Sequence, residues 1–379
     1  MSQMYPSADD YQSALEPARL AKHLRSDNPL LARVAGGVLQ VPKGSPYSHV
    51  ANGFFTYIYR IKAEQGGEFA LRCPRSQFPK DSAARYQALA RFLQATPNAA
   101  VYLATADHFD DALFVSVQLQ GRWFPVQVME WVSGKTLIET VAEMVRTNDK
   151  KGLNALADAW ERLLIDMKSH GVIHADLHPE NVIVSPGNRL RLVDYDTLIA
   201  PGFTPDATSA GGMTTYFHPS YARNQESRPA TPYLDDFGAI NILLSLRALA
   251  VNPARRKSSD YLLFSDDDIE TPTTSTLFFD LLHCSNTRTV ELANAFFEEC
   301  CSPDETGNLR VEHFLPVTPK FLPWGNGTAG VTPQVTTPSA GSPPGTRRTY
   351  EFTAPNMDDF STSKTKPSRR VVIDDYKPQ

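Results

Sequence analysis

The chain has 379 residues, of which 41% are apolar, so it can bury a sizeable core in one large domain or two. Its formal net charge of −5 gives no basic footprint for electrostatic binding to nucleic acid, and we expect no DNA or RNA partner. The four cysteines form no C-x-x-C pair, which argues against a zinc site or a disulfide framework and favours a reducing environment.

The two ends of the chain differ from its middle in composition. The N-terminus "MSQMYPSADDYQSA" lacks the basic and apolar regions of a secretory leader, and no window approaches the roughly 18 consecutive apolar residues of a membrane span. Residues 316–379 hold ten of the 29 prolines among many Thr, Ser and Gly residues, a composition typical of disorder. We therefore expect a cytoplasmic protein without membrane contact, folded from about residue 30 to 315 and followed by a disordered tail.

Four short segments rich in aromatic and β-branched residues predict the strands of an antiparallel sheet. They are "FFTYIYRIKA", "GGEFALRCPR", "ALFVSVQLQ" and "RWFPVQVMEWV". Between the second and third, "DSAARYQALARFLQ" has a cap signal and apolar residues at helical spacing, namely Tyr86, Leu89, Phe92 and Leu93. One helix therefore interrupts a β-rich lobe, which we assign to residues 45–132 after an N-terminal extension of residues 1–44.

From residue 133 to 315 the pattern becomes mostly helical. A long helix is predicted by the spacing of Leu153, Leu156, Trp160, Leu163, Leu164 and Met167, and Gly171 follows it as a stop signal. The predicted hinge between the two lobes is "MEWVSGKTL". The expected fold class is α+β, with a small β-rich N-lobe, a larger α-helical C-lobe and a disordered C-terminal tail.

The segment "GVIHADLHPENVIV" is a polar turn between two apolar stretches, and "LRLVDYD" follows it after the turn "SPGN". If the two apolar stretches pair as strands, Asp194 comes close to Asn181. A carboxylate and an amide then offer hard oxygen ligands for Mg²⁺, and Asp176 is placed to orient a hydroxyl and accept its proton. The triplet His174, Asp176 and His178 also allows a different metal site, and His174 alone allows a core histidine.

These motifs resemble, in order, those of the protein-kinase-like fold. "HADLHPEN" is similar to its catalytic loop, "DYD" stands where D-F-G stands, and "FALR" stands where V-A-I-K stands. "VMEWVSGKTL" is similar to its hinge, "TTYFHPSY" to the end of its activation segment and "DDFGAINILLSL" to its buried helix F. More narrowly, the chain resembles a bacterial branch with Arg in the lysine-bearing strand and a DYD metal motif, whose members are often encoded near a PP2C-type phosphatase.

The resemblance implies that ATP and Mg²⁺ are the cofactors. The adenine is expected against Ala70 and Met129 and the backbone of the hinge, with a glycine and an arginine at the phosphates. The implied nucleotide contacts are Gly53, Ala70, Arg72, Met129, Glu130 and Val132. The implied metal ligands are Asn181, Asp194 and Asp196, although Asp196 is equally well explained as a solvated turn residue.

The resemblance also assigns roles within the catalytic loop. Asp176 is the expected base, and His174 supports the loop backbone without an acid–base role. His178 replaces the usual lysine and is expected to donate to the γ-phosphate. Asp235 resembles the helix F aspartate that holds the loop through backbone N–H groups, and a helix N-cap is an equally sound explanation.

Several departures from the family pattern bear on activity. The strand lysine is Arg72, and no acidic residue lies in the helix that should pair with it, where Gln87 is expected at the glutamate position with Arg85 or Tyr86 as alternatives. Gly53 is the one glycine kept where three are common, and Ser220 replaces the glutamate that closes the activation segment. The nucleotide must therefore be held without the usual ion pair.

Three functions compete on these motifs. The first is a Ser/Thr protein kinase in bacterial signalling, with a protein substrate and a PP2C-type phosphatase as a further partner. The second is a small-molecule phosphotransferase of the aminoglycoside or choline kinase type, and the third is a pseudokinase that acts as a binding module. The 38 residues between Asp196 and Asp235 favour the first over the second, and the retained Asp176, Asn181 and Asp194 favour it over the third.

Overall fold

The computed structural model describes residues 4–42, 51–52, 56–203, 207–209, 227–301 and 309–317. Gly53, the predicted activation segment "TTYFHPSY" and the tail after residue 317 lie outside these ranges. The described residues form a β-rich lobe followed by a helical one, which confirms the predicted α+β, bilobal architecture. The division of the chain at residues 44, 132 and 315 stays a prediction.

The N-lobe is built on a six-stranded antiparallel sheet. Its strands are β1 (Val38–Gln40), β2 (Ala51–Asn52), β3 (Thr56–Lys62), β4 (Glu68–Pro74), β5 (Ala106–Val117) and β6 (Gln120–Glu130). The order is β1-β3-β4-β6-β5, with β2 also paired to β3. In this register Ala70 lies opposite Met129 and Arg72 lies opposite Gln127, so the central strands bring these four residues together.

The predicted N-lobe helix is α4 (Ser82–Ala95), and it packs against β5. Its buried face carries the predicted residues Tyr86, Leu89, Phe92 and Leu93. The same hydrophobic cluster continues into the C-lobe through Trp160 and Leu192, so α4 is part of a core that both lobes share.

Three further helices precede the sheet, and sequence periodicity did not predict them. They are α1 (Ala8–Ala14), α2 (Pro17–His23) and α3 (Pro29–Ala35). Tyr11 donates from its hydroxyl to the Pro74 carbonyl at 2.8 Å, and Tyr59 of β3 donates to the Ala8 carbonyl at 3.1 Å. The expectation that the folded part starts near residue 30 is therefore wrong, because these helices share a hydrophobic core with β3 and β4.

The C-lobe is mainly helical. Its elements are β7 (Lys135–Thr136), α5 (Leu137–Arg146), α6 (Lys150–His170), β8 (Val182–Ser185), β9 (Arg189–Leu192), β10 (Ala207–Ser209), β11 (Ser227–Pro229), α7 (Asp236–Val251), α8 (Asp266–Glu270), α9 (Thr276–Leu282) and α10 (Thr287–Cys301). The predicted long helix is α6, whose predicted apolar residues are all buried and which ends at Gly171 with a left-handed φ of 66°.

Helix α7 forms the centre of the C-lobe and is buried on nearly all sides. Trp160 of α6 donates from its indole Nε1 to the Ala239 carbonyl of α7 at 3.0 Å, which fixes the crossing of the two helices. The strands β8 and β9 pair antiparallel, as predicted, and the turn before β8 lies against the start of α7. Among the helices of the described ranges, none has the length and hydropathy needed to cross a membrane.

Candidate active site

The turn between α6 and β8 is held by one carboxylate from the start of α7. Asp235 accepts the backbone N–H of His174 at 2.7 Å and that of Ala175 at 2.8 Å, one on each oxygen. Ala175 has a left-handed φ of 63°, which is unfavourable for a residue with a Cβ and persists where the surroundings fix it. Asp235 makes no side-chain cap bond to its own helix, so its carboxylate serves the turn.

The imidazole of His174 points into the same turn. Its Nε2 lies 2.8 Å from the Val193 carbonyl, and Thr197 donates from its hydroxyl to the His174 carbonyl at 2.9 Å. The ring is fully buried between the turn and the segment after β9. His174 therefore connects these two segments, as expected for a residue that supports the backbone.

Asp176 and Asn181 face each other across the turn. Asn181 donates from Nδ2 to the Asp176 carbonyl at 2.9 Å, and the same nitrogen lies 3.4 Å from Oδ2 of the Asp176 carboxylate. The backbone carbonyl of Asn181 accepts the Val193 N–H at 2.9 Å, so the residue that follows, Asp194, lies beside Asn181 as predicted. Asp194 has a left-handed φ of 64°, a strained conformation that recurs at functional sites.

His178 lies on the inner side of the turn. Its Nε2 is 3.7 Å from Asp176 Oδ2, and its Nδ1 is 3.9 Å from Glu180 Oε2. Burial by itself lowers the pKa of His178, but the hydrogen bond and charge of Asp176, with the charge of Glu180, outweigh burial and raise it above 6.5. The folded protein therefore stabilises the protonated form of the His178 imidazole relative to a solvated histidine.

The side chain of Arg72 on β4 is 4% exposed and donates four hydrogen bonds between the two lobes. Its Nη1 and Nη2 donate to the two oxygens of Asp196 at 3.0 and 2.9 Å, a bidentate pair. Nη2 also donates to Asp194 Oδ1 at 2.8 Å, and Nη1 to the Tyr86 hydroxyl at 2.9 Å. Burial lowers the pKa of Arg72, but the charges of Asp196 and Asp194 more than offset this and raise the pKa well above the usual value of an arginine.

The helix residue that meets Arg72 is Tyr86, and the expectation of Gln87 at this position is wrong. Successive residues of a helix point about 100° apart, so the two side chains cannot both face the sheet, and Gln87 is exposed. Arg85 also lies elsewhere and contacts Leu198 and Asp81 in place of Arg72. It donates to the Leu198 carbonyl at 2.5 Å and pairs with Asp81.

The structure corrects the expectation of Asp196 as a solvated turn residue, while the expectation of Asp196 as a metal ligand stays a prediction. Its side chain is 14% exposed, and both oxygens accept from Arg72. Asp194 has only Oδ1 on Arg72 and is 38% exposed. No group of three or more His, Cys, Asp or Glu side chains suited to a metal occurs in the described ranges. Asp194 with Asn181 fits Mg²⁺, which keeps several waters and needs only one or two protein oxygens.

The hinge lies at the end of β6. Ala70 and Met129 are buried and adjacent across the β4–β6 pair. The Glu130 N–H donates to the Thr105 carbonyl and the Trp131 N–H to the Glu68 carbonyl, each at 2.8 Å. The expected contacts Ala70, Arg72, Met129 and Glu130 therefore lie on the paired central strands β4 and β6, with Val132 just beyond, while Gly53 is outside the described residues.

Gln127 is a site residue that sequence reasoning missed. Its Oε1 accepts the Tyr86 hydroxyl at 3.0 Å, so it completes a chain of contacts from β6 through Tyr86 to Arg72. The one signal in the sequence is a polar residue between two apolar neighbours in "FPVQVME". A buried polar residue in a central strand has a partner, but the sequence does not say which one.

Comparisons with known proteins agree with this geometry. Residues 125–201, which include the hinge, the turn and the DYD segment, match the ABC1 atypical kinase-like domain. The serine/threonine-protein kinase PknB of Mycolicibacterium smegmatis is 30% identical over 105 residues, 27% of this chain and 17% of the relative. PknB of Mycobacterium tuberculosis is 31% identical over 103 residues, 26% of this chain and 16% of the relative.

The probable serine/threonine-protein kinase PknB of Lactococcus lactis is 28% identical over 120 residues, 31% of this chain and 18% of the relative. The matched stretch therefore covers less than a fifth of the length of these curated relatives. Together with the bilobal fold and the turn held by Asp235, the matches show that the chain is a member of the protein-kinase-like superfamily. Within that superfamily, residues 125–201 are similar to an atypical branch, and a stretch of about a quarter of the chain is similar to bacterial Ser/Thr kinases.

Proposed function

We propose that the chain is an ATP-dependent protein kinase that transfers the γ-phosphoryl group to a Ser or Thr hydroxyl. The observation that carries the proposal is the convergence of Asp176, Asn181 and Asp194 at one turn whose backbone is fixed by Asp235. Phosphoryl transfer depends mainly on such positioning and on charge stabilisation. The names of the PknB relatives support Ser/Thr specificity by similarity.

Asn181 and Asp194 are the residues that would hold Mg²⁺, through the amide oxygen and through the carboxylate oxygen that does not contact Arg72. Bound Mg-ATP supplies the phosphoryl group and neutralises the charge that develops on it. Asp176 orients the attacking hydroxyl and accepts its proton. In this proposal His178, which lies next to that base, takes the place of the usual lysine and donates an N–H hydrogen bond to the transferred group.

The hydrogen bonds of the hinge support one mode of adenine recognition. The N–H groups of Glu130 and Trp131 already donate to protein carbonyls, which directs recognition to the Glu130 carbonyl and the Val132 N–H. Ala70 and Met129 supply the apolar wall. The protein substrate and a PP2C-type phosphatase partner remain part of the proposal and follow from the resemblance alone.

One observation favours a second function, a non-catalytic binding module. Arg72 engages both carboxylates of the DYD segment, so part of the metal-binding charge is already used within the protein. A cleft of this kind is able to serve as a folded platform for a partner without transferring a phosphoryl group. Nucleotide binding without transfer is the result that would support this function.

The test is incubation of purified protein with labelled ATP and Mg²⁺, alone and with a generic protein substrate. Asp176→Asn keeps the shape of the base and is expected to lower label transfer by about 10²- to 10⁴-fold. Asp194→Ala is expected to abolish transfer, and the exposed strand residue Arg122, as Arg122→Lys, serves as a matched control with unchanged transfer. Equal label in the wild type and in Asp194→Ala would refute the kinase proposal.

A further inference from the structure

Arg72 has two carboxylate neighbours that differ in how they bind it. Asp196 accepts from both Nη atoms in a bidentate arrangement and is almost as buried as the arginine itself. Asp194 accepts from Nη2 through one oxygen only and is more than a third exposed. The first geometry is that of a fixed anchor, and the second leaves a carboxylate oxygen for another cation.

The remaining contacts of Arg72 come from neutral groups. The Tyr86 hydroxyl accepts from Nη1 and donates in turn to Gln127 Oε1, so β6 and α4 orient the guanidinium without adding charge. Arg85, the residue before Tyr86 on the same helix, donates to the Leu198 carbonyl, two residues after Asp196. Helix α4 is therefore joined by hydrogen bonds to Arg72 and to Leu198 just after the DYD segment, with no acidic residue from its own sequence.

We propose that Asp196 is the positioning residue for Arg72, in place of a carboxylate from helix α4, and that Asp194 alone supplies the carboxylate of the metal site. The planar fork of Arg72 makes this arrangement possible, since its two Nη atoms span both oxygens of Asp196, which a lysine ammonium cannot do. Because Asp194 and Asp196 belong to one short segment, the phosphate-binding cation and the metal ligand are positioned together. This inference rests on the proposed nucleotide site.

The first test separates a positioning residue from a metal ligand. A fluorescent ATP analogue is titrated onto the full chain at a series of Mg²⁺ concentrations. Asp196→Asn is expected to weaken nucleotide binding about tenfold while the Mg²⁺ concentration for half-maximal binding stays within about twofold of the wild type. Asp194→Asn is expected to raise that Mg²⁺ concentration at least about tenfold. A rise of similar size in Asp196→Asn would overturn the proposal.

The second test is a double-mutant cycle between Arg72 and Asp196. In the Arg72→Lys background, Asp196→Asn is expected to change nucleotide affinity by less than about twofold, because a lysine at position 72 cannot form the bidentate pair. An equal tenfold loss in both backgrounds would overturn the proposal. Arg122→Lys, on an exposed position of β6, is the matched control for the loss of a guanidinium and leaves affinity unchanged.

The proposal can still be tested if Asp196→Asn does not fold or if the wild type binds no nucleotide. If Asp196→Asn does not fold, Tyr86→Phe removes a single hydroxyl contact of Arg72 and is expected to weaken nucleotide binding about threefold without a change in Mg²⁺ requirement. If the wild type binds no nucleotide, the proposed function fails. The cycle is then measured on urea unfolding of the free protein, where additive effects of the two substitutions would overturn the Arg72–Asp196 pair.

Discussion

Asp235→Asn tests whether one carboxylate holds the catalytic loop. The carboxylate accepts two buried backbone N–H groups, at 2.7 and 2.8 Å, one on each oxygen. An amide of the same shape keeps one acceptor and turns its NH₂ group toward the other N–H. A hydrogen bond to a charged group contributes about 1.5–3 kcal/mol, so the loss of one and the weakening of the other should cost about 3 kcal/mol of unfolding free energy.

The assay is urea denaturation followed by tryptophan fluorescence, because Trp160 contacts α7 just after Asp235. Asp235→Ala should cost more, about 3–6 kcal/mol, since it leaves both N–H groups without an acceptor. The exposed Asp267→Asn is the matched control and should change stability by less than about 0.5 kcal/mol. A loss below about 1 kcal/mol for Asp235→Asn would show that other contacts hold the loop.

Three further predictions concern His178, Gly134 and Trp160. The folded state raises the pKa of His178 above 6.5, so protonated His178 stabilises the fold below pH 6.5. This contribution to the free energy of unfolding is lost as the pH rises through the raised pKa. Urea unfolding from pH 6 to 9 should show the decline in the wild type and not in His178→Gln. Gly134→Ala should lower the free energy of unfolding by about 2–3 kcal/mol, since Gly134 has a φ of 156° and a Cβ there would meet the Val184 carbonyl. Gly187→Ala, also at positive φ but with open space around it, should lower it by about 1 kcal/mol. Equal losses in urea unfolding would contradict the steric reasoning. Trp160→Phe should lower the free energy of unfolding by about 1–2 kcal/mol, because it removes the hydrogen bond to the Ala239 carbonyl. An unchanged melting temperature would show that this bond does not stabilise the C-lobe.

The elements that could be predicted from sequence have strong local signals. The strands β3 and β6 are rich in β-branched and aromatic residues, and α6 has an apolar stripe that ends at a glycine. The hairpin of β8 and β9 follows from two apolar stretches around a Pro-Gly turn, and it places Asp194 beside Asn181. Each of these features depends on neighbours within a few residues.

The features that could not be predicted depend on contacts between distant segments. Helices α1–α3 are each only 7 residues long, too short for a clear period, and their stability comes from packing on the sheet. The choice of Tyr86 over Gln87 depends on the rotation of α4 about its axis. The bidentate pair of Arg72 and Asp196 joins residues 124 positions apart, so only the three-dimensional arrangement shows it.

The charge balance of the cleft suggests why an arginine and a missing helix glutamate occur together. In the resembled kinases a lysine, a helix glutamate and the metal-motif aspartate combine one cation with two anions. Arg72, Asp196 and Asp194 combine the same charges, although the second anion comes from the DYD segment and not from the helix. A lysine at position 72 would have one compact ammonium for three acceptors, while the guanidinium serves Asp196 twice and still reaches Asp194 and Tyr86. The net charge available to a metal ion is therefore preserved, and the two departures from the family pattern are parts of one arrangement.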